Sequence, residues 1–334
     1  MKDVYILGIE TSCDETSISI VKNGCIEIST VISTQMDTHA IFGGVVPEIA
    51  SRMHIENITI VLEECLKKSN MTMDDITAIA YTYGPGLIGS LLVGNTCAKT
   101  LSLIYEKPLI PVHHIAGHIY ANNLVKPMQF PLLALVVSGG HTELIYMKNH
   151  YNFEKIGGTL DDAVGEAYDK VARVLELSYP GGPKVDKMAH IGNDTYNLPL
   201  PLDDETYNFS FSGIKTGVIN YIHNATQKGE EINKADVAAS FEKSVVEVLV
   251  DNLLDAAHKY NITQLALAGG VASNSRLRQE LEKRKGIKKV FYPSPVLCTD
   301  NGAMVACCAY YEALAGNFAD TSLNAVPFLS VEFN

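Results

Sequence analysis

Nowhere in the 334 residues does an apolar run approach the ~18 residues that a membrane-spanning helix requires. The longest runs, around 131–137 and 265–268, have the length of strands. Asp3 and Glu10 fall inside what would have to be the apolar stretch of a secretory leader, so no leader is expected. The seven cysteines (Cys13, Cys25, Cys65, Cys97, Cys298, Cys307 and Cys308) are odd in number and include no Cys-x-x-Cys pair. That pattern gives neither a disulfide framework nor a thiolate zinc site; it fits reduced thiols in a cytoplasmic protein. Positive charge is short as well: 26 Lys and Arg against 38 Asp and Glu leave a net charge of −12. A protein that holds nucleic acid by bulk electrostatics has the opposite balance, although a local basic patch is compatible with this one. A Gly-x-x-x-x-Gly-Lys-[Ser/Thr] phosphate loop, a Gly-x-Gly-x-x-Gly after a strand and any low-complexity segment are also lacking.

What is present reads as a globular α/β chain of about two domains, with 47% hydrophobic and 19% charged residues. Strands are predicted at 4–9, 17–22 and 25–32, with Asn23-Gly24 as a hairpin turn. A helix over 47–68, a strand at 76–81, a break at Gly84-Pro85-Gly86, a helix over 87–105, a strand at 109–112 and a histidine-rich helix follow. About 125 residues on, the order recurs. Strands at 132–137, 142–147 and 153–156 lead to helices over 161–176 and 235–260. A strand at 265–268, a helix over 273–285, a strand at 289–292 and a last helix over 301–315 complete it. A β-β-β-α-β-α order met twice predicts an internal duplication. Two such lobes with a cleft between them, their glycine-rich turns facing each other, form the architecture of the actin, hexokinase and Hsp70 superfamily. The stretch 178–234, rich in Pro, Gly, Asn and Asp, reads as an insertion with short elements.

Several constellations suit chemistry. His114 and His118 are four apart, on one face of a helix, a spacing that suits two imidazoles on one metal or a surface helix with scattered histidines. Ile115 stands where a zinc protease of the His-Glu-x-x-His kind has its base. Asp300, just before the last helix, is either a third ligand or an N-cap. Two His and one Asp with open positions suit iron(II), and zinc accepts the same set. The turns Val137-Ser138-Gly139-Gly140-His141, Pro180-Gly181-Gly182-Pro183 and Gly269-Gly270 present bare N–H groups suited to phosphate, or are ordinary turns. Asp162, Glu166 and Asp169 share a helix face, solvated or aimed at ribose hydroxyls. Glu10, Asp14 and Glu15 crowd one turn, where a base would serve. Between 276 and 289, Arg276, Arg278, Lys283, Arg284, Lys285, Lys288 and Lys289 face only Glu280 and Glu282, as a nucleic-acid contact or a solvated helix end.

Taken together and in order, nine motifs resemble one family. They are Gly8-Ile-Glu-Thr-Ser-Cys-Asp-Glu-Thr16, Phe42-Gly-Gly-Val-Val-Pro-Glu-Ile-Ala-Ser-Arg52, Gly84-Pro-Gly-Leu87, His114-x-x-x-His118, Val137-Ser-Gly-Gly-His141, Tyr179-Pro-Gly-Gly-Pro183, Phe209-Ser-Phe-Ser-Gly213, Gly269-Gly-Val271 and Thr299-Asp-Asn-Gly302. They resemble the TsaD family of tRNA threonylcarbamoyladenosine transferases, once labelled O-sialoglycoprotein endopeptidases, from about residue 5 to about residue 330. The Ser-Gly-Gly-His form is similar to the bacterial branch; archaeal and eukaryotic relatives usually carry Asn at the His141 position.

The resemblance implies a duplicated actin-like, ribonuclease H-like fold: a first lobe over 1–112, with 317–334 packing back on it, and a second over 113–316. It implies a cytoplasmic enzyme that transfers the threonylcarbamoyl group of L-threonylcarbamoyl-adenylate to the exocyclic amine of adenosine 37, in tRNAs reading codons that begin with adenine, and releases AMP. Carried over by motif, His114, His118 and Asp300 hold one divalent metal, Fe2+ or alternatively Zn2+. Val137, Ser138, Gly139, Gly140, His141, Asp169, Gly182, Asp186 and Asn274 line the adenylate. Asp14 or Glu15 is the expected proton acceptor, while His39, Glu48 and Arg52 lie in a motif of unassigned task. A paralogous TsaB-type subunit, a TsaE-type ATPase and tRNA are the implied partners. The competing readings are a metal-dependent protease, a sugar-kinase-like ATPase and a paralogue that only scaffolds.

Overall fold

The structure, a computed structural model, describes residues 3–199, 202 and 206–332. Three antiparallel strands open the chain: β1 (Tyr5–Glu10), β2 (Glu15–Lys22) and β3 (Ile26–Thr34). Asn23 and Gly24 both adopt positive φ, the conformation that matches a two-residue turn to the twist of its strands. The short helix α1 (Met36–Ala40) precedes α2 (Pro47–Ser69), which starts on a proline and ends on left-handed Asn70. Strand β4 (Ala78–Gly84), helix α3 (Ile88–Tyr105), strand β5 (Leu109–His113) and helix α4 (His114–Tyr120) follow. β4 pairs parallel with β1, and β5 parallel with β4, giving the order β3-β2-β1-β4-β5.

The second half repeats this plan. It contains β6 (Leu132–Val137), β7 (Thr142–Met147), β8 (Phe153–Gly158), α5 (Val164–Val174), α6 (Gly182–Ala189), α7 (Ser212–Lys228), α8 (Lys234–Lys259), β9 (Gln264–Ala268), α9 (Ser275–Arg284) and β10 (Lys289–Phe291). Its sheet has the order β8-β7-β6-β9-β10, the first order over again. β6 is buried along its whole length, as expected of a central strand covered on both faces. The short α10 (Pro295–Cys298) and the long α11 (Gly302–Ala315) end the series.

Two compact units result. One comprises Met1–Gln129, Asn149–Phe153 and Tyr292–Asn334, the other Phe130–Lys148 and Glu154–Phe291. The division therefore falls at 129/130 and not at 112/113, and residues 292–316 belong with the first unit, not the second. The cause is α11, whose side chains from Gly302 to Ala309 are all buried. It lies directly on β1 and β2: a Cβ on Gly8 would stand 2.3 Å from the Gly302 carbonyl oxygen, and the Gly302 N–H donates to Ser17 Oγ at 2.9 Å. Only a glycine at position 8 allows that approach. Beyond α11, Ala319 bridges to Leu109, and the Val326 N–H donates to the Tyr83 carbonyl at 2.7 Å. In the 178–234 stretch, α7 is a helix of 17 residues where only short elements were expected. Its Gly213 and Gly217 dilute the helical period, while Ile214, Val218 and Ala225 supply the buried face. Positions 200, 201 and 203–205 lie outside the described residues.

Candidate functional site

In the first unit β5 runs straight into α4, which sets three histidines at the carboxyl end of the sheet. His113 is the N-cap. Its Nδ1 accepts the Ile115 N–H at 3.1 Å, and its Nε2–H donates to the Leu329 carbonyl at 3.2 Å. Burial, helped by the neighbouring His114, pulls its imidazole down to about 4, so it is neutral with both nitrogens used. His114 and His118, one turn apart, have ring centroids 4.6 Å apart and planes at 77°. Asp300 Oδ1 lies 3.1 Å from His118 Nε2 and 3.7 Å from His114 Nε2. One donor atom from each of the three residues lies within 4.8 Å of the others. The N-cap of α11 is Asn301, whose side chain accepts the Met304 N–H at 2.9 Å, so Asp300 does not serve that purpose.

His118 is 1% exposed, yet neither of its ring nitrogens has a hydrogen-bond partner among the described residues. A buried, unsatisfied imidazole nitrogen is costly, and a cation held between Asp300 and the two Nε2 atoms would satisfy His118 at Nε2. Behind His114 stands Glu10, at the end of β1 and fully buried. The His114 Nδ1–H donates to Glu10 Oε2 at 3.3 Å and lies 3.2 Å from Ser12 Oγ. Glu10 is itself fixed: Oε1 accepts the Ser12 N–H at 2.5 Å and Oε2 the Thr82 hydroxyl at 2.6 Å. This places the proton on Nδ1 and turns Nε2 toward Asp300, as in the carboxylate–histidine pairs of metal sites. Burial works to lower His114, but the charges of Asp300 and Glu10 outweigh it and lift the imidazole to about 9. The same pocket of negative charge acts on the β1–β2 turn. Burial first, then the charges of Asp14 and Asp300, push Glu15 well above the usual carboxylate range. A divalent cation would compete with these protons for the site.

The second unit gathers its glycine turns at the carboxyl ends of parallel neighbours β6 and β9. Gly269, at φ +86°, approaches so closely that a Cβ would meet the Val137 carbonyl oxygen at 2.5 Å. The Ser138 N–H donates to the His141 carbonyl at 2.8 Å, closing the β6–β7 turn. At Gly139, Gly140, Gly182 and Gly270 a Cβ would enter open space, so bare backbone lines the surface there. Asp169 Oδ1 accepts the Gly181 N–H at 2.7 Å and braces the next turn; burial raises its carboxyl. Asp186 accepts the Ser275 hydroxyl at 2.8 Å, and Asn274 caps α9 by accepting the Leu277 N–H at 2.8 Å.

Residues 27–307 match the family model described as TsaD, tRNA N6-adenosine threonylcarbamoyltransferase. The chain belongs to the TsaD family. A protein of that name from Staphylococcus saprophyticus is 58% identical over 330 residues, 98% of this chain and 96% of its own. One from Bacillus cereus is 56% identical over 335 residues, covering 99% and 98%. This TsaD chain is accordingly a transferase of tRNA modification. Solved structures settle the fold as actin-like. A full-length HypF in phosphate- and nucleotide-bound form aligns with TM-score 0.61 at 16% identity, over 93% of this chain and 46% of HypF. The Acidaminococcus fermentans (R)-2-hydroxyglutaryl-CoA dehydratase component A aligns at 0.54 and 16% over 93% and 99%.

In this TsaD chain His114, His118 and Asp300 meet within the first unit, although the expected boundary put all three in the second lobe. Val137 to His141, Asp169, Gly182, Asp186 and Asn274 all lie in the second unit. The expected acidic face holds only in part: Asp162 precedes α5, so only Glu166 and Asp169 stand on the helix. Asp162 pairs with Lys170 at 2.8 Å and Lys215 at 2.5 Å, and Glu166 with Lys170 at 2.8 Å, which leaves Asp169 alone on the glycine turn. Asp161 organises the Phe209–Gly213 motif by accepting the Phe211 N–H at 2.9 Å and the Ser212 hydroxyl at 2.6 Å. The basic segment is largely neutralised within its own unit. Lys283 pairs with Glu280, Lys285 with Glu282 and Arg284 with Asp251, while Arg276 and Arg278 donate to the Ala239 and Ala272 carbonyls. His39 is buried and structural: its Nε2–H donates to Gln35 Oε1 at 3.0 Å, and its Nδ1 accepts the Val46 N–H at 3.3 Å. Glu48 and Arg52, on the first turns of α2, are exposed. Among the described residues no helix is long and apolar enough to cross a membrane.

Proposed function

We propose that this TsaD chain transfers the threonylcarbamoyl group of L-threonylcarbamoyl-adenylate to the exocyclic amine of adenosine 37 in tRNA, with AMP as leaving product. The observation that carries the reading is the set of two buried histidines, His114 and His118, with half-buried Asp300 and with Glu10 behind them, in a chain of this family. Three donors with further positions open suit ferrous iron, with zinc as the alternative. When bound, such an ion polarises the carbamoyl carbonyl or neutralises charge on the departing phosphate. The residues do the rest. Glu10 fixes the His114 ring and its tautomer. Gly139, Gly140, Gly182 and Gly270 let nucleotide approach the backbone closely, while Asp169, Asp186 and Asn274 supply acceptors and a donor for ribose hydroxyls. Val137, Ser138 and His141 complete the turn that holds the adenylate. Asp14 or Glu15 takes the amine proton; burial and the neighbouring charges of Asp14 and Asp300 raise the Glu15 carboxyl, which strengthens it as a proton acceptor. A protease reading lacks support, because buried Ile115 has no proton to exchange.

The seven cysteines, all free, favour a cytoplasmic setting. The acidic charge favours partners that supply basic surface to tRNA, which fits a TsaB-type subunit and a TsaE-type ATPase. Ile88 and Leu92, one turn apart on α3 and 46% and 44% exposed, offer apolar surface for the first of these. The test is to incubate the chain and these partners with threonylcarbamoyl-adenylate, ATP and unmodified tRNA, then to digest the tRNA and measure threonylcarbamoyladenosine by mass spectrometry. Product is expected with the wild type and none with His114→Ala. Equal product from both would remove the metal centre from the reaction. No product from the wild type would turn attention to the kinase-like reading.

A further inference from the structure

The second unit holds a buried acid that none of the motifs assigns. Glu242, on α8, is 1% exposed. Its Oε1 accepts the Asn274 Nδ2–H at 2.7 Å, and the Asp186 carboxyl of α6 stands near enough to raise it. Asn274 and Asp186 come from different elements, and both were read as substrate residues. Glu242 is bonded to the first and lies close enough to the second to feel its charge.

We propose that Glu242 is a positioning residue of the nucleotide site, whose buried carboxyl stands between Asn274 and Asp186 and holds both in place for a ribose. This rests on the reading that Asp186 and Asn274 line the adenylate. A carboxyl in its neutral form has one acceptor oxygen and one O–H. Here the oxygen takes the Asn274 amide, which leaves the O–H for the Asp186 carboxylate. In its ionised form the same group would set two like charges against each other in a buried place. The surroundings favour the neutral form. Burial, with the charge of Asp186 adding to it and the Asn274 bond and Arg276 opposing, lifts the Glu242 carboxyl to about 7. The charged and titratable groups facing the pair are Asp186 on α6, Arg276 on α9 and the Tyr168 phenol on α5, itself held well above its ordinary range by burial and by Glu242. His190, at the end of α6, has its Nε2 3.6 Å from Asp186 Oδ1 and 2.6 Å from Ser275 Oγ.

The linkage follows directly. Below about pH 7 the carboxyl is neutral and Asp186 is held; above it the two charges repel, and affinity for the ribose falls. Glutamine reproduces the donor and acceptor of the protonated acid without titrating. Adenosine is a suitable probe because it carries no group that titrates near neutrality, and its binding to the full chain is measured by calorimetry. The wild-type Kd should rise about tenfold between about pH 6 and about pH 8. Glu242→Gln should keep the acid-side affinity and lose the slope, to within about twofold. His190→Gln should retain the slope. Glu242→Ala should weaken binding about tenfold or more on the acid side, having neither acceptor nor donor. Glu242→Gln with the wild-type slope, or Glu242→Ala with wild-type affinity, would overturn the assignment. Asp186→Ala and Asn274→Ala separate the two claims. If both weaken adenosine binding while Glu242→Ala does not, only the role of Glu242 falls. If neither weakens it, the nucleotide-site reading falls and takes this one with it.

Discussion

Glu10 shows how much of the proposed metal centre lies outside its proposed ligands. It touches no metal position, yet it decides which nitrogen of His114 carries the proton and which faces Asp300. With glutamine at position 10, one of the two oxygens that serve Ser12, Thr82 and His114 is replaced by an amide that cannot accept. Glu10→Gln should therefore lower affinity for a divalent ion by about 10–100-fold, read by competition with a chelator in the absence of substrate. Affinity within about threefold of wild type would mean that the ring is held by other contacts. The sequence made the histidine pair legible because helix geometry is local: four residues apart means one face. Asp300 carried two readings there, cap or ligand, and Asn301 as the actual cap removes the first of them. The role of Glu10 was out of reach. Nothing in the spacing of residues 10, 82 and 114 reveals that three strand ends bring them together.

Among the elements, the contact of β1 with α11 matters most to the site. β1 carries Glu10 at its end, and α11 begins two residues after Asp300, so their spacing sets the distance between the proposed ligand and its support. The spacing depends on Gly8, whose missing Cβ would fall 2.3 Å from the Gly302 carbonyl oxygen and 2.6 Å from the Ala306 nitrogen. Backbone cannot move aside as a flexible side chain can. Gly8→Ala should cost about 1–3 kcal/mol in urea unfolding and weaken metal binding as well. An unchanged unfolding midpoint would show that the helix can shift without loss. The strands at 132–137 and 142–147 match their predicted bounds because short apolar runs there are closed by Ser-Gly-Gly and by Lys-Asn. α7 escaped because Gly213 and Gly217 interrupt its pattern. The unit boundary escaped for a different reason: no local signal in 292–316 announces that the chain returns to its first sheet.

For the molecule as a whole, charge is the property that bears on tRNA. The net charge of −12 and the internal pairing of Lys283, Arg284 and Lys285 disfavour tight binding of phosphate by this chain alone. The isolated chain should bind tRNA more weakly than about 10⁻⁶ M at physiological salt, and the partner proteins should tighten it. Filter binding across a salt series measures this; tight, salt-resistant binding by the chain alone would contradict it. The whole molecule is also where the chemistry is finally read. The decisive measurement is an anaerobic titration of the metal-free chain with Fe2+, in the presence of its partners, adenylate and tRNA, counting threonylcarbamoyladenosine formed against metal bound. Product should rise with metal and level off at one ion per chain, and Asp300→Ala should neither bind the ion nor form product. Full product from the metal-free chain, or from Asp300→Ala, would contradict the assignment of His114, His118 and Asp300 as the centre of the reaction.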